Sequence, residues 1–209
     1  NNDFLLEYIS KTNKKVIIST GMSTEEEIKR CLKKFKLDKV YLLHCVSLYP
    51  CPENKVNLQR MIKLKKFGCK VGYSDHCKGI NASISAISLG CEMLEKHFTY
   101  DNRAPGADHE ISADTSDMMK IKDFAEKFIL FQGSGKIKPS KNEMKMKKFF
   151  RKSLYYNKNL KLGKKLNFSD ISFLRPQIGL EIKHAYKILN KKLIKNVYKG
   201  ELIKFRHFT

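Results

Sequence analysis

Four short apolar runs, each followed by a stretch of helical periodicity, constrain the fold of this 209-residue chain more than any other feature. The runs are Val16–Ser19, Val40–Val46, Val71–Ser74 and Met93–Thr99. Each is short and β-branched or aliphatic, as in strands buried on both faces of a parallel sheet. Between them the apolar positions recur at helical spacing, predicting helices from Thr24 to about Phe35, over Val56–Phe67, over Gly79–Gly90 and over Ser116–Phe131. A further short helix, Phe4–Thr12, precedes the first strand. Parallel strands need helical crossovers, so the order predicts an α/β architecture with strand starts spaced as in a (β/α) barrel. Eight such units close a barrel. Four leave two parallel edges open, so the pattern predicts either a C-terminal fragment of a barrel or an open sheet.

The third and fourth runs carry the chemistry. Each ends in a histidine, His76 and His97, and a crossover helix would set the two strands side by side, pointing the same way. Both imidazoles then emerge at the carboxyl ends of the strands, where α/β folds collect their ligands. Two neutral imidazoles can hold a divalent metal with coordination positions left open. Read from spacing alone, two histidines without a third obvious ligand are more often ordinary polar residues at strand ends, and both readings stay open at this point. Asp75 and Asp108 supply carboxylates nearby, and Cys77 adjoins His76 as a further candidate ligand.

Charge divides the chain. Gly133–Thr209 holds 21 Lys and Arg against 4 Asp and Glu, whereas Asn1–Gln132 holds 21 against 17. Such a basic tail raises the possibility of a polyanion-binding protein on a degenerate barrel. The excess is almost all lysine, scattered among Asn, Ile and Phe without Arg clusters, which argues against nucleic acid as the main partner. The six cysteines form no CxxC pair and read as reduced residues of a cytoplasmic protein. There is no leader-like segment, and no apolar run approaches the ~20 residues that span a bilayer. Residues 133–148, rich in Gly, Pro and Lys, read as a linker between a catalytic partial barrel over 1–132 and a small domain over 149–209. That domain contains a repeat, with Asn159–Ile171 matching Asn196–Phe208 at an offset of 37. Each copy reads as strand, glycine turn, strand, with a short helix over Leu180–Leu189 between them. This predicts a compact β-rich fold of pseudo-twofold symmetry.

The segments STGMS (19–23), LLHCVSLYPCP (42–52), VGYSDH (71–76), LEKHFT (94–99), PGADHEIS (105–112), GSGKIKPS (133–140), RKSL (151–154) and LRP (174–176) occur in that order. Together they closely resemble the N-acetylneuraminate (sialic acid) synthase family over essentially the whole chain. The resemblance implies the second half of a (β/α)8 TIM-type barrel followed by an antifreeze-like SAF domain. It implies condensation of phosphoenolpyruvate with an N-acylated amino sugar to a nine-carbon 2-keto sugar acid, with phosphate released. The product class is N-acetylneuraminate or a related legionaminate or pseudaminate, and Pro105–His109 resembles the sialic and legionaminic branch more than the pseudaminic. A barrel aldolase using pyruvate, which releases no phosphate, is a further alternative.

The resemblance also implies roles. His76 and His97 resemble ligands of Mn²⁺ or Mg²⁺ that polarises the sugar aldehyde. Ser19, Ser47 and Ser74 resemble residues that hold phosphoenolpyruvate oxygens, Ser47 standing where the family often has Asn. Asp108 resembles an aspartate on the sugar hydroxyls. Arg175 resembles an arginine presented to the acylamino group by the SAF domain of the partner subunit in a homodimer. Here the chain reads Arg175-Pro176-Gln177-Ile178-Gly179, where the family commonly has Arg-Pro-Gly-Asn-Gly or Arg-Pro-Gly-Thr-Gly.

Overall fold

The structure, a computed structural model, describes residues 2–106 and 108–209, and Ala107 of the Pro105–Ser112 motif lies outside them. The chain divides into two compact units, Asn1–Gly135 and Lys136–Thr209.

The first unit is a four-stranded parallel sheet in the order β1 (Val16–Ser19), β2 (Val40–Cys45), β3 (Lys70–Asp75), β4 (Leu94–Lys96). Helix α1 (Asp3–Lys11) precedes β1. The crossovers carry α2 (Glu25–Leu32), α3 (Gln59–Leu64) and α4 (Asn81–Ser88), and α5 (Thr115–Gln132) follows β4. Helix α2 starts at a capping box: Thr24 Oγ1 accepts from Glu27 N–H while the Glu27 carboxylate accepts from Thr24 N–H. Three glutamates in its first turn suit the positive end of the helix dipole.

Pleating sorts the strand residues onto two faces. Val40, Leu42, Val71 and Tyr73 are buried in one core with Ile28, Leu32, Met61, Leu64 and Ala86 of the helices. The alternate residues share the face away from the helices, because Ile17 pairs with Tyr41, Ser19 with Leu43, Leu43 with Gly72, Cys45 with Ser74, and Ser74 with Glu95. It is open at the β1 edge, where Ile17 and Ser19 are exposed, whereas Leu43, Cys45, Gly72 and Ser74 are buried. Gly72 marks the closest approach. A Cβ there would lie 2.3 Å from the Met93 carbonyl oxygen and 2.5 Å from Leu43 Cδ2.

Two expected elements are shorter than their sequence signals. The Met93–Thr99 strand narrows to Leu94–Lys96. Beyond it the chain leaves β3 and bridges Ala113, whose N–H donates to the His97 carbonyl at 2.7 Å. The Val56–Phe67 helix begins only at Gln59, after a 3-10 turn at Glu53–Lys55 and a left-handed Asn57. The Val56 carbonyl is instead bound at 2.7 Å by Nε2 of buried His44.

In the second unit the segment read as a linker contains helix α6 (Lys141–Phe150), opened by a Ser140–Glu143 capping box. Its lysines did not prevent a helix because Lys is a good helix former and the cap sits at the right spacing. Strands β5 (Ser153–Tyr156) and β6 (Ile171–Leu174) pair antiparallel. The helix expected over Leu180–Leu189 is a 3-10 turn at Ile182–His184 and one turn, α7 (Ala185–Ile188).

The repeat is a physical pseudo-twofold. Leu160 and Val197 exchange both backbone hydrogen bonds at 2.9 Å. The Asn196 side chain accepts from Leu162 N–H and the Asn159 side chain from Lys199 N–H, each at 2.8 Å. The turn glycines Gly163 and Gly200 share φ values of 82° and 83°. Within the copies the extended residues form single bridges rather than strands. Among the described residues no helix is long and apolar enough to cross a membrane, and all six cysteines are free.

Gly72→Ala should destabilise the first unit by about 1–3 kcal/mol, because the clash is with backbone as well as a core side chain. Thermal denaturation reads the loss; an unchanged Tm would mean that β3 and β4 can spread without cost.

Candidate active site on the open sheet face

The site starts from an ion pair on the opposite side. Asp75 and Lys96, paired in register at the ends of β3 and β4, have side chains only 0% and 1% exposed, and Nζ lies 3.1 Å from Oδ2. Asp75 Oδ1 also accepts from Tyr73 Oη at 3.2 Å and Cys77 N–H at 2.8 Å, and Oδ2 from Ser83 Oγ at 2.5 Å. With those two side chains turned to the helix face, the next residues, His76 and His97, fall to the other.

There the two rings meet edge to face, with centroids 5.4 Å apart. His76 is 5% exposed and its Nδ1 lies 3.0 Å from the Val46 carbonyl oxygen. A carbonyl only accepts, so Nδ1 carries the proton and a neutral His76 keeps its lone pair on Nε2. The His97 side chain is 33% exposed, and its Nδ1 lies 3.8 Å from Oδ2 of Asp108, itself 59% exposed. Tyr49, from the loop after β2, closes over both rings at 4.1 Å from His76 and 5.7 Å from His97. Desolvation, then the neighbouring Cys45, Asp108 and Glu95, push its phenol above the usual range, so it is a neutral hydroxyl.

The serines stand on successive strand ends. Ser19 is exposed at the end of β1. Ser47 lies where the turn after β1 comes close, since a Cβ on Gly21 would fall 2.1 Å from its Oγ. Cys45 Sγ links Ser47 to His76, 4.0 Å from Ser47 Oγ and 3.9 Å from His76 Nδ1. Ser74 is buried and donates at 2.7 Å to Glu95. Thus His76, His97, Asp108, Ser47 and Ser74 share one region of the first unit with Tyr49 and Glu95. The last two were missed from sequence, although each sits within a motif and Glu95 lies two residues before His97 on the same face.

Cys77 and Asp75 do not join this group. Asp75 is consumed by the buried ion pair. Burial, then the Asp75 charge, pushes the Cys77 thiol up to about 12, and its Sγ lies 4.0 Å from Tyr73 Oη on the helix side. Arg175 belongs to the second unit. It follows β6, is exposed, and its guanidinium lies 5.7 Å over the Phe150 ring. The departing Gln177 donates its N–H to the Lys148 carbonyl at 2.7 Å, tying that loop to α6.

The His76–His97 pair fits a labile divalent ion by its donor chemistry: two imidazoles, one of fixed tautomer, beside an exposed carboxylate. Among the described residues no three or more His, Cys, Asp or Glu are grouped to hold a metal ion. An ion on this pair would draw its remaining ligands from substrate and water.

Comparison with known proteins adds to the geometry. Residues 1–137 match the NeuB family and residues 151–209 the SAF domain. The chain is 37% identical over 205 residues to the N,N'-diacetyllegionaminic acid synthase of Campylobacter jejuni, covering 95% of this chain and 61% of that one. It is 33% identical over 208 residues to the pseudaminic acid synthase of the same organism, covering 98% and 60%. Among solved structures, an N-acetylneuraminic acid synthetase of Leptospira borgpetersenii, in complex with citrate, aligns with a TM-score of 0.64 at 37% identity, over 69% of this chain and 52% of that one. The chain therefore spans about three fifths of the length of these curated relatives.

With its thiol at about 12, roughly one Cys77 in 10⁴ is a thiolate at pH 8. Iodoacetamide at pH 8 should leave Cys77 unmodified in the native chain and label it fully after unfolding. Peptide mass spectrometry reads this; native labelling at the unfolded rate would put the thiol on an accessible face.

Proposed function

The chain belongs to the NeuB family, and on that footing we propose that its open sheet face is part of the active site of a synthase condensing phosphoenolpyruvate with an N-acylated mannosamine-type sugar. The product would be a nine-carbon 2-keto sugar acid. The observation that carries this reading is the convergence of His76 and His97 beneath Tyr49, at the carboxyl ends of adjacent parallel strands, with Asp108 from the loop after β4 beside His97. The 37% and 33% identical relatives are named for legionaminic and pseudaminic acid, so the N-acetylated and di-N-acetylated sugars form one class to be tested together.

On this reading His76 and His97 would hold Mn²⁺, or Mg²⁺ in its place, and the chemistry supplied there would be Lewis-acid polarisation of the open-chain sugar's aldehyde. The protein's own groups then order the reaction. The methylene carbon of phosphoenolpyruvate attacks the aldehyde carbon and a C–C bond forms. The aldehyde oxygen takes a proton, water adds to the cationic C2, and the C2–O bond to phosphate breaks, returning a proton and leaving the ketone. Ser19 and Ser47 offer hydroxyl donors to the phosphate and carboxylate oxygens. Asp108 accepts from sugar hydroxyls and so fixes which face of the aldehyde is presented. The neutral Tyr49 hydroxyl can donate without adding charge. Arg175 reaches the acylamino carbonyl of a sugar bound by the partner subunit of a homodimer.

Full-length protein with Mn²⁺, phosphoenolpyruvate and each N-acylmannosamine should release one phosphate per sugar consumed, and EDTA should stop it. Phosphoenolpyruvate left intact with every sugar of the class would overturn the reading, and consumption of pyruvate instead would turn it towards an aldolase.

The exchange of Arg175 has its own test. His97→Ala and Arg175→Ala homodimers should each lose at least about 100-fold in kcat/KM, on the scale of removing one positioned charge-stabilising group. Mixed dimers of the two should recover activity, because one of their two sites regains both residues. No recovery despite confirmed subunit exchange would place Arg175 outside the partner's site.

A further inference from the structure

We propose that the buried Asp75–Lys96 ion pair is the positioning device that sets the spacing and ring orientation of His76 and His97 on the opposite face of the sheet. The inference rests on the donor-pair reading of the two histidines given above.

The location of the pair calls for an explanation. Positions 75 and 96 point to the helix-covered face, where parallel sheets ordinarily hold Val, Ile or Leu. A fully desolvated ion pair is seldom more stable than apolar residues of the same volume. Here both charges are enclosed, at 0% and 1% exposure. Stability alone is therefore a weak reason for the pair.

Its geometry supplies a stronger one. Asp75 and Lys96 are cross-strand partners in register, and each is followed at once by a histidine. In a pleated strand, fixing one side chain's direction fixes that of its neighbour on the other side. The network also brackets His76 from beyond. Cys77 N–H donates to Asp75 Oδ1 at 2.8 Å, and Lys96 Nζ donates to the Cys77 carbonyl at 2.8 Å. The residues on both sides of His76 are thus bound to one carboxylate and one ammonium. Ser83 Oγ at 2.5 Å and Tyr73 Oη at 3.2 Å complete the carboxylate's shell and tie it to α4 and β3.

β4 needs such a fastening. It spans only Leu94–Lys96, lies at the edge of the sheet, and leaves β3 for Ala113 immediately afterwards. Lys96 is its last ladder residue before His97. Without the ion pair the last rung of β4 keeps backbone pairing only, the next side-chain tie to β3 being the Ser74–Glu95 hydrogen bond one residue earlier. The two ring centroids, 5.4 Å apart, would then lose their fixed relation.

The test uses full-length protein with the pair replaced by apolar residues of similar volume, Asp75→Leu with Lys96→Met. Far-UV circular dichroism confirms the fold. Two readouts follow: the Kd for Mn²⁺ alone, from electron paramagnetic resonance of the free ion, and the ring ¹⁵N resonances of His76 and His97 without metal. Mn²⁺ affinity should fall about 10- to 100-fold, the usual effect of losing the groups that orient metal ligands. The His76 Nδ1 resonance should shift away from its single hydrogen-bonded tautomer. Lys96→Arg, which keeps the charge and the donors, should retain most of the affinity. A folded double variant with affinity within threefold of wild type and unchanged resonances would overturn the proposal.

If the double variant does not fold, Tyr73→Phe and Ser83→Ala carry the test, since each deletes one hydroxyl bond to Asp75. At least a threefold loss of affinity in each supports the inference, and no change in either readout overturns it. A wild type that binds Mn²⁺ no better than His97→Ala would overturn the donor-pair reading instead. The positioning of the rings is then decided by their resonances, which need no metal.

Discussion

The histidine pair at the centre of the candidate site depends on the two-residue alternation of β3 and β4. Residues 71, 73 and 75 are sunk among helices, so 72, 74 and 76 must face the other way. The same parity sends Lys96 inward and Glu95 and His97 outward. Register converts this local rule into a site, because Ser74 pairs with Glu95 and Asp75 with Lys96. A slip of one residue would bury the imidazoles among leucines and expose the ion pair. Gly72 belongs to the same constraint. It lets β3 sit so close to the Met93 carbonyl that any side chain would push β4, and His97 with it, outward.

The second unit solves a different problem with a different device. It has few paired strand residues, and much of its order comes from reciprocity between the copies of its repeat. Asn159 and Asn196 each cap the other copy's turn, and the bond from Gly163 N–H to the Leu193 carbonyl has its counterpart from Gly200 N–H to the Tyr156 carbonyl, each at 2.8 Å. Symmetry lets one short sequence pattern satisfy two sets of backbone groups. The surface is left free to vary, and here it carries lysine. The four acids that remain are engaged: Glu143 with the Ser140 N–H, Asp170 with Lys158, Glu181 with Lys183, and Glu201 with Lys195.

Strand positions, helix order, the parallel arrangement and the 37-residue symmetry were legible because each leaves a period in the sequence. What was not legible depends on single tertiary contacts. Helix α6 was hidden behind lysines that resemble a linker, although Ser140 and Glu143 stood at capping-box spacing. The late start of α3 reflects one buried imidazole, His44, taking a carbonyl that a helix would have used. Asp75 and Cys77 looked like candidate ligands because they flank His76, and their removal from that group follows from strand parity and burial. Tyr49 left no periodic signal at all, since a loop residue is placed by tertiary geometry.

Charge orders the substrates on the proposed reading. Around the histidines the open face carries the carboxylates of Glu95 and Asp108, and Ser74 already spends its hydroxyl proton on Glu95. With no ion on the histidines, a phosphate set against that end would meet two carboxylates and a hydroxyl whose proton is already given to Glu95. The Ser19–Ser47 end is farther along the strand order and presents hydroxyls without those carboxylates. If the proposed reading holds, phosphoenolpyruvate would lie towards β1 and β2, and the neutral sugar, rich in hydroxyl donors, towards β4 and Asp108. The histidine pair stands at the ends of β3 and β4, on the sugar's side of that divide.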